Sequence, residues 1–134
     1  MDCGGHSVAI SGDTTPSNNL VKFSSGVDLL IHELSLFKGD PVLSGSPDEL
    51  LPNSRQTRRQ LVTIMDHHTD AVEVGKVLDR VKPKLAVFSH YGAETSAVVP
   101  LIRQNYSGPV EFGEDSMTIE VGSQVNVRRL APPH

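Results

Sequence analysis

Short apolar runs alternate with amphipathic stretches along the chain. The runs at 7–12 and 27–31 are rich in β-branched and other apolar residues, and each predicts a buried strand. Between them, Pro16 follows two threonines and opens a predicted helix over 16–25, because proline loses no hydrogen bond at the first helical position. This strand–helix–strand order is typical of a parallel sheet with a helix packed on its face.

The second half of the chain shows the same two kinds of pattern. One apolar stripe predicts a helix that begins near Thr69 and ends at Lys82-Pro83, and its members are Val74, Val77, Leu78 and Val81. A buried strand is predicted at 85–88, followed by a helix near 94–105 with a proline inside it. Alternating apolar positions then predict closing strands at 110–112, 117–121 and 125–127. The whole pattern predicts an α/β fold.

Residues 35–62 differ from the rest, since glycines and prolines interrupt them repeatedly. We predict a long loop or insertion there, with room for one short helix. The basic residues Arg55, Arg58 and Arg59 near its end are more typical of a solvated face than of a binding patch. No linker or shift in composition divides the chain, so residues 1–134 are expected to form a single domain.

Composition narrows the class of protein. The 134 residues include 16 acidic and 12 basic side chains. The resulting net charge of −4 argues against a nucleic-acid partner. The single cysteine, Cys3, cannot form an internal disulfide. No apolar run approaches the ~20 residues of a membrane span, and the first residues do not resemble a signal peptide. We therefore expect a cytoplasmic globular protein with no membrane partner.

Polar side chains follow three of the predicted strands. Asp13, His32 and His90 each come just after an apolar run, and the carboxyl ends of parallel strands meet at one edge of a sheet. His68 lies at the start of a predicted helix that would pack on the same sheet, so it is expected to face this edge too. A carboxylate and several imidazoles suit a divalent metal ion, Zn²⁺ first and Mn²⁺ or Fe²⁺ as alternatives.

Each of these residues also has a structural interpretation. Asp13 is suitable as a turn or helix-capping carboxylate, and a histidine such as His32 is more often a satisfied, half-buried residue than a metal ligand. Only one of the adjacent His67 and His68 can easily face a given site, which leaves the other in solvent. His90 is the strongest candidate, because a histidine that ends an apolar strand needs a polar partner.

Four motifs occur in a characteristic order. They are Ser11-Gly12-Asp13-Thr14, Val27-Asp28-Leu29-Leu30-Ile31-His32-Glu33, His68-Thr69-Asp70-Ala71 and Lys84-Leu85-Ala86-Val87-Phe88-Ser89-His90. This order resembles that of metallo-β-lactamase-fold hydrolases, and in particular their ribonuclease Z-like branch. The resemblance extends from about Gly4 to Val127 and is to the C-terminal half of that fold. It implies half of an αββα sandwich, with a mixed sheet flanked by helices.

The resemblance also implies roles for individual residues. Asp13 matches an aspartate that bridges two metal ions, and His90 matches a histidine that binds the second ion. His68 matches a histidine that assists at the scissile group, so His68 and Asp13 are the expected catalytic residues. Supporting positions beside the site are expected for four further residues, which are His32, Glu33, Asp28 and His67.

The implied activity is metal-dependent hydrolysis of a small-molecule ester, lactam or phosphodiester by a metal-bound hydroxide. The chain lacks the histidine-rich N-terminal motif of the family, so its ligand set is incomplete. We therefore expect a fragment, a natural half that needs a separate N-terminal half, or a homodimer in which a second copy covers an apolar sheet face. The alternatives are a catalytically silent half-domain that binds a partner or self-associates and, less favoured, a receiver-like signalling domain.

Overall fold

Apart from a two-residue strand at Asp2–Cys3, which the apolar pattern does not predict, the elements follow the predicted order. The computed structural model describes residues 1–35, 40–51, 54–91 and 95–130. The strands in these ranges are β1 (Asp2–Cys3), β2 (His6–Ile10), β3 (Leu29–Leu34), β4 (Leu85–Tyr91), β5 (Val110–Phe112), β6 (Thr118–Val121) and β7 (Val125–Arg128). The helices are α1 (Asn18–Ser24), α2 (Arg58–Met65), α3 (Ala71–Val81) and α4 (Thr95–Ile102), with a 3₁₀ turn at Pro41–Leu43.

Five strands form one mixed sheet in the spatial order β1-β2-β3-β4-β5. β2, β3, β4 and β5 run parallel, and only β1 pairs antiparallel, along the outer edge of β2. β3 therefore lies at the centre, and the carboxyl ends of β2, β3 and β4 meet at the same edge. The expected mixed sheet flanked by helices is confirmed.

The main core lies between one face of this sheet and helices α1, α3 and α4. Leu30 and Phe88 on the sheet and Leu78 on α3 are fully buried in it. Asp70 caps α3, since its Oδ1 accepts hydrogen bonds from two backbone N–H groups of the first turn. α3 approaches α4 so closely that a Cβ on Gly75 would lie 2.7 Å from the carbonyl oxygen of Ile102, which explains glycine there.

A β-hairpin packs against the opposite face of the sheet. Within the described ranges, strands β6 and β7 pair with each other and with no other strand, and their alternating apolar side chains contact Leu29, Leu85 and Val87. The members of the hairpin that make these contacts or support them are Met117, Ile119, Val121, Val125 and Val127. The hairpin therefore covers part of this apolar face from within the chain, and the homodimer remains one of the predicted alternatives.

The structure differs from the sequence prediction mainly within residues 35–62. Residues 36–39 and 52–53 of this stretch lie outside the described ranges. The short helix in it is α2, which extends beyond the predicted loop to Met65 and begins with a capping box between Thr57 and Gln60. No helix among the described residues is long and apolar enough to cross a membrane.

Candidate metal and catalytic site

Three predicted site residues converge at the carboxyl edge of the sheet. Asp13 lies in the loop after β2, His68 just before α3, and His90 near the end of β4. Each offers one ligand atom, and these three atoms all lie within 4.8 Å of one another. Nδ1 of His90 is 2.9 Å from Oδ1 of Asp13, and the rings of His68 and His90 meet edge to face at 5.7 Å. One carboxylate and two imidazoles suit the donor preference of a divalent transition metal such as zinc.

A local irregularity in β4 points His90 at this cluster. The pairing of β3 with β4 shifts at this point, where Glu33 lies opposite Ser89 and Leu34 lies opposite Tyr91. His90 is the extra residue and has a φ of +52°, in the left-handed region that L-residues seldom occupy. Its side chain is about two-thirds exposed, as is that of Asp13. A bulge of this kind re-aims a side chain, and backbone strain of this kind is concentrated at functional sites.

Glu33 holds His68 in place. Its carboxylate is buried and spans two partners, because Oε1 accepts the backbone N–H of Thr69 at 2.6 Å and Oε2 lies 3.0 Å from Nδ1 of His68. An ionised carboxylate only accepts hydrogen bonds, so Nδ1 of His68 carries the proton in this contact. The other ring nitrogen, Nε2, is thereby left to accept a proton or a ligand.

A second contact connects the His68 segment to the loop that carries Asp13. The buried hydroxyl of Thr69 donates to the carbonyl oxygen of Thr14 at 2.6 Å. Asp13 directly precedes Thr14, and His68 directly precedes Thr69. The hydrogen bond between the two threonines therefore fixes the spacing between the two segments that carry Asp13 and His68. Neither threonine was among the sequence-predicted site residues, because a single hydroxyl in a loop has no recognisable pattern before its partner is known.

His32 is close to the site in sequence but points into the core. Its side chain is fully buried on the face of β3 that also carries Leu30 and Leu34. Nδ1 donates to the carbonyl oxygen of Glu33 at 2.6 Å, and Nε2 has no hydrogen-bond partner among the described residues. Burial lowers the pKa of His32, so the ring is neutral near pH 7. The ring therefore contacts the backbone that carries Glu33, not the cluster itself.

The structure does not bring Asp28 or His67 to the cluster. Asp28 lies just before β3, at the opposite end of that strand from Glu33, about 16 Å away for five extended residues. Its carboxylate pairs with Lys84 and accepts the backbone N–H of Ser7, and these two contacts lower its pKa to about 2. His67 is exposed in the turn after α2. Its neighbour His68 is the member of the pair that faces the site.

A groove of about 530 Å³ opens beside His68. Its walls come from the loop after β2, the 3₁₀ turn, α2 and the first turn of α3. The lining residues from these elements include Pro16, Leu43, Val62, Met65, Asp66, Asp70 and Glu73. The basic residues of the preceding segment are partly engaged elsewhere, since Arg58 pairs with Glu49 and Arg59 pairs with Asp48.

Comparisons with known proteins agree with the resemblance seen in the motifs. No protein-family model matches the chain. The chain is 29% identical over 121 residues to ribonuclease Z from Myxococcus xanthus, covering 87% of this chain and 33% of that protein. It is 29% identical over 129 residues to human zinc phosphodiesterase ELAC protein 2, covering 96% of this chain and 13% of that protein. Ribonuclease Z from Mycobacterium tuberculosis (strain H37Rv) is 26% identical over 129 residues, covering 90% of this chain and 41% of that protein.

A solved structure shows the same fold. The metallo-β-lactamase fold protein YhfI from Bacillus subtilis superposes with a TM-score of 0.60 at 16% sequence identity. The superposition covers 89% of this chain and 41% of YhfI. The chain therefore has the fold of one part of a metallo-β-lactamase-fold protein, and in sequence it resembles part of the ribonuclease Z-like branch. It spans about a third of the Myxococcus relative.

Proposed function

We propose that the chain forms part of a metal-dependent hydrolase, with Asp13 and His90 as metal ligands and His68 as the acid–base residue. The observation that carries this proposal is the convergence of one ligand atom from each of these three residues within 4.8 Å. The names of the similar proteins support it, since two are ribonucleases and one is a zinc phosphodiesterase.

The donor set fits a divalent ion, and zinc is our first choice because carboxylate and imidazole ligands suit it. A bound divalent ion lowers the pKa of a water molecule toward neutrality and supplies a nucleophile at physiological pH. Asp13 and His90 are suited to hold it because both are exposed to solvent, which gives an ion access. Their present hydrogen bond at 2.9 Å keeps the two side chains facing each other.

The contacts of His68 favour proton transfer over a purely structural role. Glu33 accepts the proton on Nδ1 and stabilises the positive charge of the ring when Nε2 is also protonated. A ring oriented in this way can hold a proton at Nε2 and give it to the oxygen of the leaving group. The backbone N–H of Thr69 fixes the other oxygen of Glu33, so the carboxylate cannot turn away.

Among the substrates expected from the motifs, a phosphodiester now ranks above an ester or a lactam. The curated relatives are a zinc phosphodiesterase and ribonucleases by name, and a phosphodiester is the bond that such enzymes cleave. These names weaken the expectation that nucleic acid is not a partner. The charge of −4 and the ion pairs of Arg58 and Arg59 still favour a small molecule.

The test combines metal content with turnover. We expect the Asp13→Ala and His90→Ala variants to lose most of the bound metal, whereas His68→Ala keeps the metal and loses turnover by 10²–10⁴-fold, the usual share of a general acid or base. His67→Ala is the matched control, because His67 is the exposed neighbour of His68 and should change neither quantity. Equal metal content and equal chelator-sensitive turnover in all four variants would refute the assignment.

A second candidate is a half-domain that is inactive until it joins another chain. The specific observation in its favour is that the chain spans a third or less of the first two relatives, while the described part of the chain offers three clustered ligand atoms. Native mass spectrometry with metal analysis separates the two. A metal-loaded, active monomer supports the single-chain site, whereas an apo monomer that becomes active only as a dimer or with a separate N-terminal half supports the second candidate.

A further inference from the structure

We infer that the groove beside His68 binds the leaving group of the substrate and selects a small apolar group that carries no negative charge. This inference rests on the proposed role of His68 and adds the class of substrate. Three observations carry it, namely the apolar wall of the groove, the charge along its rim and its position relative to the cluster.

The apolar wall comes largely from α2. Val62 and Met65 lie three residues apart on this helix and line the groove together with Leu43 and Pro16. No residue of α2 is buried, and the side chain of Val62 is 46% exposed. When a ligand covers apolar side chains that are otherwise exposed to water, the free energy falls by roughly 25 cal/mol per Å² of apolar surface. An apolar group in the groove would therefore bind and also hold α2 in place.

The described residues along the rim carry mainly negative charge. Asp66, Asp70 and Glu73 line the groove, and of its described lining residues only His68 is able to carry a positive charge. Glu73 also pairs with Lys76, and Asp70 also caps α3, but neither contact removes the negative charge from the Asp66 carboxylate. An anionic ligand such as an RNA strand would be repelled here, whereas a neutral or cationic group would not.

The position of the groove identifies which part of the substrate it receives. His68 lines the groove and also belongs to the cluster with Asp13 and His90, so it forms the boundary between the two. A proton given up by His68 is therefore available to a group that lies in the groove next to the ring. The occupant is accordingly the group that departs with this proton.

Methyl NMR on the full chain tests the inference without any need for turnover. The chain contains three methionines, of which Met65 lines the groove, Met117 lies at the start of the hairpin and Met1 lines a separate cavity beside β2 and α1. We would titrate protein labelled at the methionine methyl groups with benzyltrimethylammonium, benzyl alcohol and benzenesulfonate. The Met65 signal should shift saturably with the cation and the alcohol, and the cation should bind about three- to tenfold more tightly than the sulfonate. Met117 is the control and should not move.

Variants at the rim and wall sharpen the test. The double variant Asp66→Asn/Glu73→Gln should bring the affinities for cation and sulfonate within about twofold, and Val62→Lys should abolish binding of the cation. Glu114→Gln/Glu120→Gln, which removes two exposed carboxylates at the hairpin end of the chain, is the charge-matched control and should change nothing. A Met65 signal that ignores all three probes, or that moves with sulfonate or a short oligoribonucleotide as readily as with the cation, would overturn the inference.

The outcomes also separate this inference from the proposed function. Saturable binding at Met65 without metal-dependent turnover would support the groove as a binding site and refute the proposed hydrolase function. If Val62→Lys leaves the turnover of a generic phosphodiester unchanged, the hydrolase function is supported, and the proposal that the groove binds the leaving group is refuted.

Discussion

The contact between Glu33 and His68 makes the sharpest prediction. Replacing Glu33 by glutamine changes almost no volume but exchanges one carboxylate oxygen for an NH₂ group. The amide oxygen can still accept the Thr69 N–H, so the NH₂ group faces Nδ1 of His68. A donor at this position forces Nδ1 to accept, and the ring proton moves to Nε2. Glu33→Gln is therefore expected to reverse the tautomer of His68.

The size of the effect follows from the two hydrogen bonds. A hydrogen bond to a charged group contributes about 1.5–3 kcal/mol, and its neutral replacement contributes about 1 kcal/mol. The difference, about 1 kcal/mol for each of the two bonds, lowers the melting temperature by roughly 5–10 °C in a domain of this size. Glu33→Ala removes both acceptors and leaves the Thr69 N–H buried without a partner, so it should be more destabilising than Glu33→Gln.

The assay is nitrogen-15 NMR of the histidine side chains, with thermal unfolding and turnover measured on the same samples. In the parent protein we expect the neutral His68 ring to carry its proton on Nδ1, and in Glu33→Gln on Nε2. Turnover should fall at least tenfold, because the variant no longer stabilises the protonated ring. The exposed His67 serves as an internal control, and its signals should not change. An unchanged His68 tautomer with unchanged turnover would refute the reasoning.

Two further predictions concern stability. The lowered pKa of buried His32 means that the unfolded chain takes up a proton at its ordinary pKa of 6.5 while the folded chain does not. Stability is therefore fully present above pH 6.5 and falls below it, by up to about 1.4 kcal/mol per pH unit until the folded ring titrates. We would measure the free energy of unfolding by denaturant at several pH values between 7.5 and 5. This free energy should depend less steeply on pH in His32→Leu than in the parent protein, and an equal pH dependence in both would contradict the assignment. On α3, Gly75→Ala should destabilise by about 1–3 kcal/mol, although alanine is the better helix former, because its methyl group would meet the carbonyl oxygen of Ile102. Asp79→Ala, on the exposed side of the same helix, is the control. A higher melting temperature for Gly75→Ala would contradict this prediction, because it would show that α3 and α4 can move apart without loss of stability.

The fold was predictable because its core strands are short, continuous apolar runs. β3 and β4 are buried on both faces, so their sequences contain no alternation that could be misread as an exposed strand. Helix α2 was the difficult element. None of its residues is buried, so its apolar positions do not form a stripe that a core requires, and the glycines and prolines before it favoured a loop.

The candidate site was predictable at the level of position and not of contact. Asp13 and His90 follow from the rule that parallel strands end at one edge, and His68 follows from its place at the start of a helix that packs on the same sheet. The bulge at His90 and the hydrogen bonds of Glu33 depend on strand register and side-chain direction, which sequence spacing does not determine. Asp28 shows the limit of a motif, because its neighbours in sequence reach the site while Asp28 lies at the other end of the same strand.

The order of the strands has a consequence for folding and local opening. Asp13 and His90 flank the central strand from opposite sides and are 77 residues apart in the chain. β2 is bordered on its outer side only by the two-residue β1, so the β1–β2 unit forms the weak margin of the sheet. Detachment of β1 and β2 would withdraw Asp13 and break the hydrogen bond between Thr69 and Thr14, whereas the contact between His68 and Glu33 involves neither strand. A ligand that joins Asp13 to His90 binds only the form in which β2 is paired with β3. Occupancy of the site would therefore stabilise this edge of the sheet against local opening.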